Sequence, residues 1–170
     1  MGLETIHPQS LSLLNKESTL DDFAHACQWL IKHQVDIRAF VLLQPPGTRD
    51  DEAIEWAVSS IDFAFENGAR HVRLIPTRGG DGLMVEFEKQ RIFRPPSAGQ
   101  LEQALDQGIQ LTVGKHPRCV VTADLWDWGH LRGHCGVCSL PRKSRLEKIN
   151  LNQQHLAMPT FQCPCSSQMD

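Results

Sequence analysis

The chain has 170 residues, 41% hydrophobic and 22% charged, which suits one ordinary globular domain with enough apolar residues to bury a core. Its formal net charge of −3 gives no electrostatic case for nucleic acid or an anionic membrane as partner. No apolar run has the ~18 residues of a spanning helix, and no basic stretch followed by an apolar one opens the chain, so the expected compartment is the cytoplasm, with reduced cysteines.

In chain order, Gly2-Leu3-Glu4-Thr5 has the pattern of a strand end, and residues 8–16 that of a short helix with Leu11, Leu13 and Leu14. Thr19 and Asp22 have the spacing of a capping box and predict a helix to about residue 34. Phe23, Ala26, Cys27, Leu30 and Ile31 form one stripe along it. Residues 37–43 are a short apolar run stopped by Pro45-Pro46-Gly47, and predict a strand buried on both faces. Asp50-Asp51-Glu52 suits the start of a helix that Asn67-Gly68 ends, and residues 71–76 predict a second strand. Strand, helix and strand with short connections imply a parallel sheet.

A glycine-rich loop, Thr77-Arg78-Gly79-Gly80-Asp81-Gly82, precedes a short helix over residues 83–89. After Pro95-Pro96, Ser97 caps a predicted helix over residues 98–107, closed by Gly108. Leu111-Thr112-Val113 and residues 119–123 read as brief strands. From Asp124 the composition shifts to Trp, His, Gly and Cys, so residues 124–170 are expected to be an appended module beside a domain of residues 1–123. Arg142-Lys143-Ser144-Arg145 reads as a solvated helix face rather than a phosphate site. Asp124-Leu125-Trp126-Asp127 is explained more cheaply as a packing corner than as an acid/base pair.

Cys135-Gly136-Val137-Cys138 and Cys163-Pro164-Cys165 put four thiols in two close pairs, with Gly136 and Pro164 suited to tight turns. Each pair can chelate one tetrahedral metal. Zinc leads as the metal, and an iron–sulfur cluster uses the same ligands. A redox CxxC would want a helix at once, whereas Leu140-Pro141 intervenes. His130 and His134 are alternative ligands, and Cys27 and Cys119 read as inert buried thiols.

Gly2-Leu3-Glu4-Thr5 followed by Asn15-Lys16 resembles the fourth strand's end and following helix of radical S-adenosylmethionine (SAM) enzymes. The similarity is to the branch with tRNA-modifying enzymes and oxygen-independent coproporphyrinogen oxidase. Glu4-Thr5-Ile6-His7-Pro8, Leu14-Asn15-Lys16, Asp22-Phe23, the run from Ile75 to Gly82, Asp124-Leu125-Trp126-Asp127 and the cysteine pairs narrow it. They look like the archaeosine-biosynthesis radical SAM subunits and their bacterial Fe–S oxidoreductase relatives. Leu43-Gln44-Pro45-Pro46-Gly47 departs from the family's Gly-Leu-Pro-Gly by lacking its first glycine.

The resemblance implies an α/β fold, the C-terminal half of a partial (β/α) barrel with a small cysteine-rich tail. It implies SAM contacts from Glu4, Lys16 and Arg38 or Phe40, with Ile75 and Pro76 flanking the adenine. The family's CxxxCxxC, which binds the catalytic [4Fe–4S] cluster, is absent from the sequence. The chain is therefore expected to begin at the fourth strand, to be inactive alone, and to need a chain carrying the CxxxCxxC half. The implied substrate is tRNA or a modified base, without a membrane. The rivals are a zinc-stabilised binding module without catalysis and a truncated frame without function.

Overall fold

A computed structural model describes residues 1–80, 82–160, 162, 163 and 165. The order is β1 (Gly2–Glu4), α1 (Pro8–Leu13), α2 (Leu20–Lys32), β2 (Arg38–Leu43), α3 (Ala53–Glu66), β3 (His71–Pro76), α4 (Gly82–Lys89), α5 (Ala98–Gly114), β4 (Val120–Ala123), a 3-10 turn (Trp128–His130) and α6 (Ser139–Asn152). The four strands are all parallel and stand in chain order, β1-β2-β3-β4. A doubly wound sheet would reverse direction part-way, and this one does not. No helix among the described residues is long and apolar enough to cross a membrane.

Local signals set most boundaries. Thr19 and Ser97 each form a capping box, with Asp22 and Gln100. Gly68 takes φ +91° just past α3, a conformation that costs glycine little.

Four expectations need correction. The strand at residues 37–43 is not buried on both faces. Ala39, Val41 and Leu43 are buried, whereas Arg38, Phe40 and Leu42 alternate with them on a partly open face. The register carries both sets across the sheet. Val41 stands beside Leu74 and then Ala123, and Phe40 beside Arg73 and then Thr122. Among the described residues one face is thus fully covered and the other half-open, and polar Arg73, His71 and Thr122 fit the latter. His71 Nε2 lies 2.7 Å from Thr122 Oγ1 there, and burial, with Arg38 and Arg73 nearby, lowers the His71 pKa.

Leu111-Thr112-Val113 is not a strand, because α5 runs on to Gly114. Leu105, Ile109 and Thr112 continue its buried stripe at helical spacing. Gly108 does not end the helix. A Cβ there would stand 3.2 Å from Val121 Cγ1 and 3.4 Å from Ile61 Cδ1, so the glycine lets α5 approach β4 and α3 closely.

Arg142 and Arg145 are not solvated. Both are buried against Glu102 and Asp106 of α5. Acids four apart on one helix meet arginines three apart on another, so both pairs form along one contact line. Leu146 and Ile149 of α6 join the same core as the sheet.

α6 also closes an edge. Asn150 Oδ1 accepts from Ala123 N at 2.8 Å, and its Nδ2 donates to Ala123 O at 2.9 Å. Gln153 does the same for Val121, at 3.0 and 2.9 Å. Two amide side chains thus stand in for a fifth strand along β4. Asn150→Leu orphans the Ala123 groups, with an expected loss of about 1–3 kcal/mol. Unchanged stability in urea titration would refute the clamp.

Candidate metal centre and the adjoining cavity

The two cysteine pairs, separated by residues 139–162, meet in space. The four Sγ atoms of Cys135, Cys138, Cys163 and Cys165 lie within 4.8 Å of one another. Those of Cys135 and Cys138 are 3.8 Å apart. Zinc–thiolate bonds of about 2.3 Å set tetrahedral thiolates about 3.8 Å apart. The first pair already has that spacing, and the second needs to close in by at most about 1 Å. The donor set and its compactness fit one tetrahedral ion. Pro164, expected to shape the second turn, lies outside the described residues.

Cys138 is fully buried and is the N-cap residue of α6. Leu140 and Pro141 therefore sit inside the first helical turn and do not separate the CxxC from a helix. Proline is tolerated there because its missing N–H has no intrahelical acceptor. The backbone N–H groups of Cys138 and Val137 lower the Cys135 thiol to about 7. Burial pushes the Cys163 thiol up, and burial with the adjacent Cys135 and Cys138 pushes Cys165 up to about 12. One thiolate forms readily, and further charge accumulates only against repulsion, so a cation at the centre relieves it.

Arg142 ties this centre to the body of the fold. Its Nε and Nη2 donate to the two Glu102 carboxylate oxygens at 2.9 and 2.7 Å. Its Nη1 donates to Gly133 O at 2.6 Å, two residues before Cys135. Glu102, and then Cys138 against the guanidinium, raise the Arg142 pKa. Neither histidine belongs to the thiol group. His134 Nε2 donates to Trp128 O at 3.1 Å, and its ring stacks on Trp128. Cys27 is buried, Cys119 is half-buried, and burial raises both thiols.

Ile75 and Pro76 line a cavity of about 610 Å³ at the C-terminal end of the sheet, with Arg78, Asp124, Asp127 and Trp128. Arg78 pairs with Asp127 at 2.6 Å and Arg73 with Asp124 at 3.3 Å. Asp81 of the glycine-rich loop lies outside the described residues. Glu4 ends β1 at φ +66°, and its Oε1 meets Lys16 Nζ at 2.7 Å. Gly2 leaves room for this, since a Cβ there would stand 2.4 Å from that oxygen. Gln44, just past β2, takes φ +55°. The strain is held in place because the buried Gln44 side chain donates to Asp50, which also accepts from Arg94 and Arg132. Glu4, Gln44, Ile75 and Pro76 thus share the C-terminal ends of their strands. Arg38 opens β2 instead, about 16 Å along the strand from Leu43.

Sequence reasoning singled out Asp124 and Asp127 as a packing corner but missed the ion pairs they make, and it missed Glu102 and Asp106 altogether. Glu102 and Asp106 had only their four-residue spacing to mark them, and Arg78 with Asp127 had no local signal.

The chain matches no family model and no solved structure. It is 27% identical over 168 residues to archaeosine synthase subunit beta of Methanosarcina acetivorans, a match covering 96% of this chain and 47% of that protein. It is a distant homologue of that subunit. It is also 23% identical over 173 residues to an uncharacterized protein of Methanocaldococcus jannaschii, covering 98% of this chain and 46% of that one. The chain spans about half the length of the curated relatives it matches.

Proposed function

We propose that this chain is the cofactor- and substrate-side part of a radical SAM enzyme that modifies tRNA, in the branch with oxygen-independent coproporphyrinogen oxidase. In this reading residues 1–123 are the C-terminal half of a partial (β/α) barrel, and residues 124–170 carry a zinc centre. The observation that carries it is the homology to archaeosine synthase subunit beta along 96% of the chain. Strands in chain order, with one face fully covered and the other half-open, support a barrel arc. Function in such barrels sits at the C-terminal strand ends, where Glu4, Gln44 and Pro76 stand.

SAM and a [4Fe–4S] cluster supply the radical chemistry of that family, and the cluster's CxxxCxxC does not occur in this sequence. The chain's own residues bind and orient. Glu4 and Lys16 form a pair complementary to a zwitterionic amino acid, with Glu4 for the ammonium and Lys16 for the carboxylate. Ile75 and Pro76 offer an apolar wall to a planar ring. Arg38 would reach the same ligand only across the open face of the sheet. The compact thiol group favours a single zinc ion over a cluster, whose irons would spread the thiolates further apart. That the relative is a subunit supports a partner chain, and the proposal assigns the CxxxCxxC to that partner.

The test has two parts. In calorimetry the isolated chain is expected to bind SAM weakly, and Glu4→Ala or Lys16→Ala to abolish that binding. Anaerobic co-expression with a CxxxCxxC-bearing partner is expected to yield 5′-deoxyadenosine, and the chain alone is expected to yield none. Release of that product by the chain alone would refute the division of labour. The missing CxxxCxxC also favours a second reading, a zinc-stabilised binding module without catalysis. That module would bind no SAM, and no partner would change this.

A further inference from the structure

Three of the four tryptophans pack on a histidine ring. Trp56 meets His7, Trp29 stacks on His33, and Trp128 stacks on His134. Trp126 stacks on no ring among the described residues, and it is 83% exposed. Its placement is nonetheless fixed. Asp124 Oδ1 accepts from the Trp126 backbone N–H at 2.9 Å, which locks the turn that carries the indole. Two hollows meet along this turn. The cavity with Ile75 and Pro76 lies on one side, and a shallower groove with Arg73, Trp126 and Lys143 on the other. Arg78 and Asp124 line both.

We propose that Trp126, between the cavity and the groove lined by Arg73, Arg78 and Lys143, is a stacking platform for a base of single-stranded nucleic acid. The proposal rests on the reading that the substrate is tRNA, and it assigns the strand next to the reacting nucleotide to this groove. An exposed indole on a rigid turn offers its π face without the entropy cost of ordering a loop. Two of the groove's three cations are weakly committed. Arg73 holds Asp124 at 3.3 Å and Lys143 holds Glu147 at 3.8 Å, both part-exposed. A phosphate can replace such partners at little cost. The groove is lined by three cations, Arg78 being held by Asp127 at 2.6 Å, and by Asp124 and Glu147, while the chain as a whole carries −3. Attraction is therefore local, and affinity rests on stacking more than on steering.

The test is fluorescence anisotropy of a labelled, unstructured single-stranded RNA with the zinc-loaded full chain. Trp126→Ala is expected to weaken binding about 5- to 150-fold, the range for losing one stacked base. Trp126→Phe, which keeps an aromatic face, is expected to retain most of it. Zinc content and SAM binding should not change in either variant, since Trp126 touches neither site. Wild-type binding in Trp126→Ala would overturn the platform and leave the tRNA reading intact. Absence of RNA binding by the wild-type chain would overturn it as well, while the SAM test judges that reading separately.

Discussion

Zinc is expected to purify with the protein at about one equivalent per chain, and its removal is expected to unfold the C-terminal segment. The thiols that hold the ion come from the turn that leads into α6, ending at its N-cap Cys138, and from a stretch that follows the helix, so the ion closes a loop around a core helix. Cys135→Ser and Cys163→Ser should each cut zinc content below about a tenth of an equivalent, because either change opens the tetrahedron. Full occupancy in both variants, by elemental analysis, would sink the assignment. Acid should release the ion in the same way. Zinc needs thiolates, and Cys163 and Cys165 hold their protons more firmly than a free thiol does. Protons therefore compete better as pH falls, and affinity should drop with falling pH while release is followed with a chromogenic chelator.

Arg142→Ala is expected to cost about 3–5 kcal/mol, the penalty for leaving one partner of a buried ion pair alone. The two side chains are each 2% exposed, and the bond is bidentate. The double variant Arg142→Met with Glu102→Leu should recover most of that loss, because it buries no lone charge. Chemical denaturation of the two variants decides between an ion pair that matters and one that is incidental. A single variant as stable as the wild type would show that Glu102 finds another partner. The guanidinium also fixes Gly133 O, so the single variant should lose zinc more readily as well.

The elements with local signals were legible. The capping box at Thr19, the cap at Ser97, the glycine after α3 and the two longer strands needed nothing beyond neighbouring residues. The paired cysteines were legible for the same reason, since each pair sits within one turn. Gly108 misled because a glycine that ends a helix and one that admits a neighbouring strand look alike in sequence. Residues 37–43 misled because an apolar strand reads the same whether its second face is covered by a helix or left half-open. The arginines of α6 misled because their partners lie about 40 positions earlier on α5, a distance no periodicity spans. Glu4 and Lys16 were named by resemblance, and only the fold shows that they face each other.

The amide clamp on β4 denies that edge of the sheet to any further strand. Asn150 and Gln153 occupy the bonds a further strand would need on that side. A sheet edge whose backbone groups are already bonded cannot take up a strand from another molecule. Copies of this chain therefore cannot join edge to edge through β4 at Val121 and Ala123, and a foreign strand is turned away there as well.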